Sequence, residues 1–267
     1  MKVRVRAPAT TANLGAGFDC AAAALDLWNE LEVMEGGEAD PEHLGVRAFS
    51  LLAEPGGLGF AFTDRIPRER GLGSSAAVIA LGLIAAAAVR DEHPDVEELL
   101  ALGTTLEGHS DNLAAAFVGG VCLTWDGRVE RIADDVPAVP ILLIPDRRVN
   151  TLESRAALPE QIPHEDASFS ASRAALLGAG VASGSADLFA AALADRLHEP
   201  YRSPFLEEVR SALPKSALGA TLSGSGPSVV VWARREAVPA CEDQLRAAFP
   251  DETVTRIPIS PKGAERV

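Results

Sequence analysis

Gly71-Leu72-Gly73-Ser74-Ser75-Ala76-Ala77 joins a glycine-rich turn directly to a run of helix formers, Val78 through Val89. Glycines let backbone N–H groups approach an anion closely, and a helix start adds unsatisfied donors and a favourable dipole, so the junction suits phosphate. Two hydroxyls sit at the turn, one of them placed for a metal ion that accompanies nucleotide phosphates. A Walker A loop needs a lysine just before the Ser or Thr, and none is here. The letters also fit a Rossmann G-x-G-x-x-A pattern, with Asp91 at roughly the expected 20-residue spacing for a ribose-binding acid. Context rejects that pattern: Pro67-Arg68-Glu69-Arg70 stands where an apolar strand belongs, and no second strand separates the helix from Asp91. An ordinary Gly-Ser turn capping a buried alanine-rich helix is the plain alternative.

Other segments carry chemistry more ambiguously. Pro8 to Asp19 follows the first expected strand as a loop of small residues that presents Asn13 and Asp19. Asp19 could take an ammonium and Asn13 a hydroxyl or amine, or the loop is an Asx-turn satisfying its own backbone. Glu107-Gly108-His109-Ser110-Asp111-Asn112 places a carboxylate, an imidazole and an amide between two helices. Glu107 is a reasonable Mg²⁺ ligand, since that ion takes one or two protein oxygens plus substrate phosphates. By itself His109 reads as a structural histidine, and Arg155 and Arg202 as solvated charges. Ser223-Gly224-Ser225-Gly226 alone is a strand-ending turn.

Taken in order, these segments resemble one family. Pro67 to Ala77 closely matches the Pro-x-x-x-Gly-Leu-Gly-Ser-Ser-Ala-Ala loop of the GHMP kinases. The resemblance puts ATP phosphates against Pro67, Arg68, Glu69, Arg70, Gly71, Leu72, Gly73, Ser74, Ser75, Ala76 and Ala77. Pro8 to Asp19 is similar to the Pro-Ala-Thr-Ser-Ala-Asn-Leu-Gly-Pro-Gly-Phe-Asp signature of the homoserine kinases, with Thr11 for Ser and Ala16 for Pro. Glu107 to Asn112 resembles their Glu-Gly-His-Pro-Asp-Asn motif, with Ser110 for Pro. Thr151 to Pro159 looks like their Ser/Thr-x-x-x-Arg-x-x-Leu-Pro segment, Asp195 to Arg202 like Asp-x-x-His-x-Pro-x-Arg, and Thr221 to Ser228 like the third glycine-rich motif, which closes over the site. His43 stands where these kinases often carry Asn on the adenine side, and Ser170 replaces another common Asn.

What the resemblance implies is an α+β, two-lobed GHMP kinase fold. Its N-terminal, ATP-binding lobe (1–147) would be ribosomal-S5-domain-2-like, and its C-terminal, substrate-closing lobe (148–267) a ferredoxin-like α+β sandwich. The implied reaction moves the ATP γ-phosphate to the side-chain hydroxyl of L-homoserine, giving O-phosphohomoserine on the threonine pathway. Ser75 and Glu107 would hold Mg²⁺, Asn112 would orient the transferring group, and His109 would face the substrate. Asn13 and Asp19 would bind its ammonium, and Arg155 and Arg202 its carboxylate, for which a guanidinium fork is suited. No Asp base with a Lys partner is identifiable at a matching place, so positioning and charge neutralisation must supply most of the rate. The alternatives are a GHMP kinase for threonine, mevalonate or shikimate, or a catalytically silent ligand sensor. Mevalonate and shikimate would leave Asp19 without a cation, and a sensor has no need of a metal at the γ-phosphate.

Positioning these groups requires a substantial core, and 267 residues with 47% hydrophobic content provide it. Only 5% are aromatic, so the core is built from Ala, Leu and Val. Strands are expected over 3–7, 25–33, 58–62, 121–125, 129–132, 141–144, 218–222, 229–232 and 253–257. Helices are expected over 41–52, 76–89, 96–106, 111–118, 169–178, 185–198, 205–213 and 240–249, with Asp111 as an N-cap. The 38 acidic against 24 basic residues give a net charge of −14, which disfavours nucleic acid and anionic membranes and calls for a locally positive pocket around a polyanionic substrate. Three scattered cysteines and five histidines form no disulfide framework or zinc spacing. Without a signal-peptide pattern or a membrane-spanning apolar stretch, a cytoplasmic protein is expected, and a homodimer is left open.

Overall fold

A computed structural model describes residues 2–267. The chain runs β1 (Lys2–Ala12), β2 (Ala21–Glu35), α1 (Leu44–Phe49), β3 (Leu58–Thr63), α2 (Ser74–Arg90), α3 (Val96–Glu107), α4 (Asp111–Val118), β4 (Val121–Trp125), β5 (Arg128–Ala133) and β6 (Val139–Ile144). It continues with α5 (Thr151–Ala156), α6 (His164–Ser183), α7 (Ala186–Ala192), α8 (Glu199–Arg202), α9 (Pro204–Ser211), β7 (Ala217–Leu222), β8 (Val229–Ala233), α10 (Val238–Ala248), β9 (Thr253–Arg256) and β10 (Glu265–Arg266).

Two antiparallel sheets result. The first has the order β10-β1-β2-β4-β5, with β3 also paired to β2, and the second the order β7-β8-β6-β9. Helix α2 packs on β1 and β2 and touches α1, α3 and α4, which places its first turn at the end of the central hairpin. Period-two alternation divides β6 and β8 between two cores. Leu142, Val230 and Trp232 face the main core shared with α2 and the first sheet, whereas Ile141, Leu143, Val229 and Val231 pack with α9 and α10. Among the described residues no helix is long and apolar enough to cross a membrane.

Several elements differ from the sequence expectation. β1 does not stop at Ala7: it pairs with β2 through Ala12, with a register shift between Pro8 and Ala9. A bulge accommodates the proline's missing donor, so Pro8 to Ala12 is strand and only 13–20 is loop. Strand β6 precedes the expected lobe boundary at 147/148 yet pairs with β8 and β9, while β10 returns from the far end of the chain to β1. Thr151–Ala156 is helical and Glu165–Ser168 belongs to α6, both unforeseen. Asp111 is the first residue of α4, not its cap. Its Oδ1 bonds the Asn112 N–H at 2.8 Å and His109 Nδ1 at 2.9 Å, leaving Ser110 at the cap position.

Candidate active site

The glycine-rich turn closes on α2 with Gly73 in the left-handed region and no side chain capping the helix. Its backbone must be glycine: at Gly73, φ +63°, an added Cβ would lie 1.8 Å from Thr10 Oγ1, and at Gly71, φ +73°, 2.2 Å from the Ser223 carbonyl. These approaches press the turn against β1 on one side and the C-terminal glycine motif on the other. The Thr10 N–H donates to the Leu72 carbonyl at 3.1 Å, and Leu72, Ala76 and Ala77 are buried beneath the turn. Open donors at an uncapped helix start are what an anion needs.

Behind the turn, Ser75 Oγ donates to Glu107 Oε2 at 2.6 Å, joining the start of α2 to the end of α3. Burial pushes the Glu107 carboxyl above its ordinary value, against the opposing effects of Ser75 and His109. Burial works to lower the His109 imidazole, but its hydrogen bond to Asp111 and that carboxylate's charge outweigh burial and hold it above the ordinary histidine range. Thr10 Oγ1 donates to Asn112 Oδ1 at 2.6 Å and fixes which way the amide faces. Two oxygen ligands beside an uncapped glycine-rich turn fit Mg²⁺, an ion that takes one or two protein oxygens and fills the rest of its shell from substrate and water. Among the described residues no group of three or more His, Cys, Asp or Glu gathers as a metal cage.

The other end of the site is charged. Arg155 forms a two-pronged bond with Asp19, Nη1 to Oδ2 at 2.9 Å and Nη2 to Oδ1 at 2.8 Å. The residues expected to take opposite ends of an amino acid are therefore paired with each other. Asn13 is buried, its Nδ2 donating to the Gly224 carbonyl at 2.9 Å and its Oδ1 accepting the Asp19 N–H at 3.0 Å. Those bonds use half the amide's capacity. Arg202 lies 5.0 Å from the Phe18 ring centroid, and its guanidinium is disfavoured first by burial and then by the charge of Arg155. Ser223 Oγ donates to the Gly71 carbonyl at 2.6 Å and shares a hydrogen bond with Thr11, while Ser154 Oγ donates to the Ser225 carbonyl at 3.2 Å.

One cavity of about 660 Å³ collects Asn13, Asp19, Arg68, Glu69, Gly71 to Ser75, Glu107, His109, Asn112, Arg155, Arg202, Gly224 and Ser225. Pro67, Arg70, Ala76, Ala77, Ser223 and Gly226 are not among its lining residues. Ala76 and Ala77 belong to the core beneath it, and Arg70 turns to the Asp146 carbonyl. The expected locally positive pocket is instead mixed: Arg68, Arg148, Arg155 and Arg202 face Asp19, Glu42, Glu69, Glu107 and Asp111. Side-chain charge in this cavity would neutralise a bound phosphate less than backbone donors and a cation would. Sequence assigns no site role to Thr10, Phe18 or His198 and only a capping role to Asp111, although each stands inside a motif that does carry site residues. Their partners are remote in sequence or, as with Asp111, compete with a simpler capping role.

Comparison with known proteins agrees with this geometry. Residues 43–120 match the family model for the GHMP kinases N terminal domain, and residues 172–251 that for the GHMP kinases C terminal. A homoserine kinase of Streptomyces coelicolor is 37% identical over 98% of this chain and 93% of its own length. One from Gloeobacter violaceus is 36% identical, covering 97% of each. Among solved structures, homoserine kinase from Cytophaga hutchinsonii superposes with a TM-score of 0.86 at 24% identity, over 100% of this chain and 97% of that one. Methanococcus jannaschii mevalonate kinase shares the fold at a TM-score of 0.70 and 13% identity, over 97% and 98%. The chain belongs to the GHMP kinases and, within them, to the homoserine kinase family.

Proposed function

We propose that this chain transfers the γ-phosphate of ATP to the side-chain hydroxyl of L-homoserine, yielding ADP and O-phospho-L-homoserine for threonine synthesis. The observation that carries this reading is the single cavity that joins the phosphate turn to the Asp19–Arg155 pair and Arg202. The first end suits a nucleotide triphosphate, and the second offers one partner for an ammonium and two for a carboxylate. An α-amino acid brings both charges; a hydroxy acid brings one.

In the reaction the substrate hydroxyl oxygen forms a bond to Pγ as the bond from Pγ to the β,γ-bridging oxygen breaks, ADP takes that electron pair, and the hydroxyl proton passes to a phosphate oxygen or to water. Backbone N–H groups of Gly71 to Ser75 hold phosphate oxygens, and Asn112, oriented by Thr10, presents its amide to the transferring group. Ser75 and Glu107 would hold Mg²⁺, which when bound neutralises phosphate charge and orients the leaving group. Asp19 and Arg155 exchange their mutual bond for bonds to the zwitterion, Arg202 adds a second guanidinium, and His109 flanks the acceptor. With reactants aligned in a loose transition state, position and charge supply the rate enhancement. We place the reaction in the cytoplasm, a reading supported by the free thiols of Cys20, Cys122 and Cys241.

Purified protein with Mg-ATP and a panel of homoserine, threonine, mevalonate and shikimate, scored by ADP release, tests this. Homoserine should give the highest kcat/KM; an equal or higher value for any other acceptor would overturn the substrate assignment.

A further inference from the structure

Arg202 is held from behind by a residue that does not itself line the cavity. Its Nη1 lies 3.3 Å from Nδ1 of His198, one helical turn earlier, while His198 Nε2 lies 2.9 Å from the Gly15 carbonyl oxygen. A carbonyl only accepts and a guanidinium only donates, so Nε2 carries the proton and Nδ1 is bare. The two neighbours thus specify one neutral tautomer, and a second proton would set N–H against N–H. The histidine has no exposed surface, and its backbone is fixed because Asp195 Oδ2 accepts the N–H groups of Leu197, His198 and Glu199 at 3.0, 2.7 and 3.1 Å.

The ring is also held on its face. It stacks on Phe18 at 4.8 Å with 18° between planes, and the same Phe18 lies 5.0 Å from the Arg202 guanidinium and 6.0 Å from that of Arg155. Arg202 has little else to hold it: its Nε is buried without a hydrogen-bond partner, and among the described residues it joins no carboxylate ion pair. Asp19, Asp111 and Asp195 attract this guanidinium from beyond ion-pair distance while Arg155 repels it, so the acceptor it touches directly, His198 Nδ1, is the group placed to set its orientation.

We propose that His198 is a positioning residue for substrate binding: locked in its Nε2–H tautomer by the Gly15 carbonyl, it presents the Nδ1 lone pair that aims Arg202 at the carboxylate of the acceptor. The inference rests on the amino-acid kinase reading, from which it takes the role of Arg202. Burial, which lowers the basicity of His198, favours the neutral state that this role requires. The bond to Gly15 also ties Arg202 to the loop that bears Asp19, so the two substrate-facing charges are set from one frame.

Steady-state kinetics on His198→Gln, His198→Asn and Arg202→Lys, alone and combined, tests the proposal. Gln keeps an N–H for Gly15 but offers no acceptor in the Nδ1 position; Asn keeps the acceptor and gives up the reach to Gly15. His198→Gln should raise the homoserine KM roughly tenfold, the scale of a hydrogen bond to a charged group, with the ATP KM within about twofold. His198→Asn should be milder, and neither should add more than about twofold once Arg202 is Lys. Equal rises in both KM values, an unchanged homoserine KM, or full additivity with Arg202→Lys would overturn it. Thermal melts report folding; should His198→Gln not fold, the His198→Asn cycle decides, since its effect must also vanish in the Arg202→Lys background. Wild-type protein that does not use homoserine would sink the substrate reading instead, and the same cycle can then be run on whichever carboxylate acceptor is used.

Discussion

Gly73→Ala probes the glycine-rich turn proposed to hold phosphate, where its geometry is tightest. The new Cβ would meet Thr10 Oγ1 at 1.8 Å and the Thr10 Cβ at 3.1 Å, on a backbone held at φ +63°. The left-handed conformation costs a non-glycine residue about 1 kcal/mol. Displacing the hydroxyl breaks its 2.6 Å bond to Asn112 and leaves buried polar groups unpaired, a further loss of about 1–3 kcal/mol. Gly73→Ala should therefore destabilise by about 2–4 kcal/mol, and Thr10→Ala, which removes the same hydrogen bond without strain, by about 1–3 kcal/mol. With the hydroxyl already gone, adding Gly73→Ala costs little beyond the backbone term and two contacts at 3.1 Å, with the residue-10 Cβ and Asn112 Oδ1, each relieved by a few tenths of an ångström. The double variant should thus be more stable than the sum of the singles by about 1–3 kcal/mol, outside the ~0.5 kcal/mol scatter of independent sites. Guanidinium denaturation followed by circular dichroism, accepted only where the slopes agree, measures the cycle. Strict additivity, or a Gly73→Ala cost below about 1 kcal/mol, would refute the contact geometry.

Glu107→Gln keeps an acceptor for Ser75 and so should fold normally, yet raise the Mg²⁺ concentration for half-maximal turnover about tenfold or more; an unchanged Mg²⁺ titration would remove Glu107 from the metal site. Glu199 offers a pH test: its burial lifts the carboxyl to about 7 from the ordinary 4.5, against Arg210 at 2.5 Å and the Leu222 N–H at 2.8 Å. The folded state holds this proton after the unfolded chain has lost it, so the site's stabilisation is complete below about pH 4.5 and lost as pH rises through about 7, by up to about 3 kcal/mol. Glu199→Gln, which cannot ionise, should flatten the fall in denaturation midpoint between about pH 5 and 8; parallel curves for the two proteins would contradict it.

The sequence made the site's local parts legible and hid their partners. Gly71 to Val89 announced itself because glycine turns and alanine-rich helices are specified over a few residues, and α2 begins at Ser74, two residues ahead of the expected start. Pro8 misled because a proline reads as a strand end, whereas the chain absorbs it in a bulge and carries β1 five residues further. Asp111 has the side chain of a cap, but a nearby imidazole and the following N–H use the same oxygen. The least legible feature was the bond between Asp19 and Arg155, 136 residues apart. Motif order assigns both a substrate role, and only the fold brings them to each other. Likewise β6 reads as the last strand of the first half, and only its pairing with β8 and β9 assigns it to the second sheet.

That bond bears directly on which acceptors the site can use. A hydroxy acid without an ammonium must draw Arg155 away from Asp19 and offers the freed carboxylate nothing, whereas an α-amino acid re-partners both. Breaking a fully buried ion pair costs about 3–5 kcal/mol, but the Arg155 and Asp19 side chains are 35% and 38% exposed, so water offsets much of it. About 1–2 kcal/mol remains, or roughly a 5- to 30-fold preference in kcat/KM for homoserine over its desamino analogue, 4-hydroxybutanoate. Asp19→Asn abolishes the charge to be re-partnered, so it should compress that ratio mainly by weakening homoserine, while leaving the ATP KM near its wild-type value. An unchanged ratio in Asp19→Asn would mean that the site selects its acceptor by shape, and that the paired charges merely hold the loop 13–20 against α5.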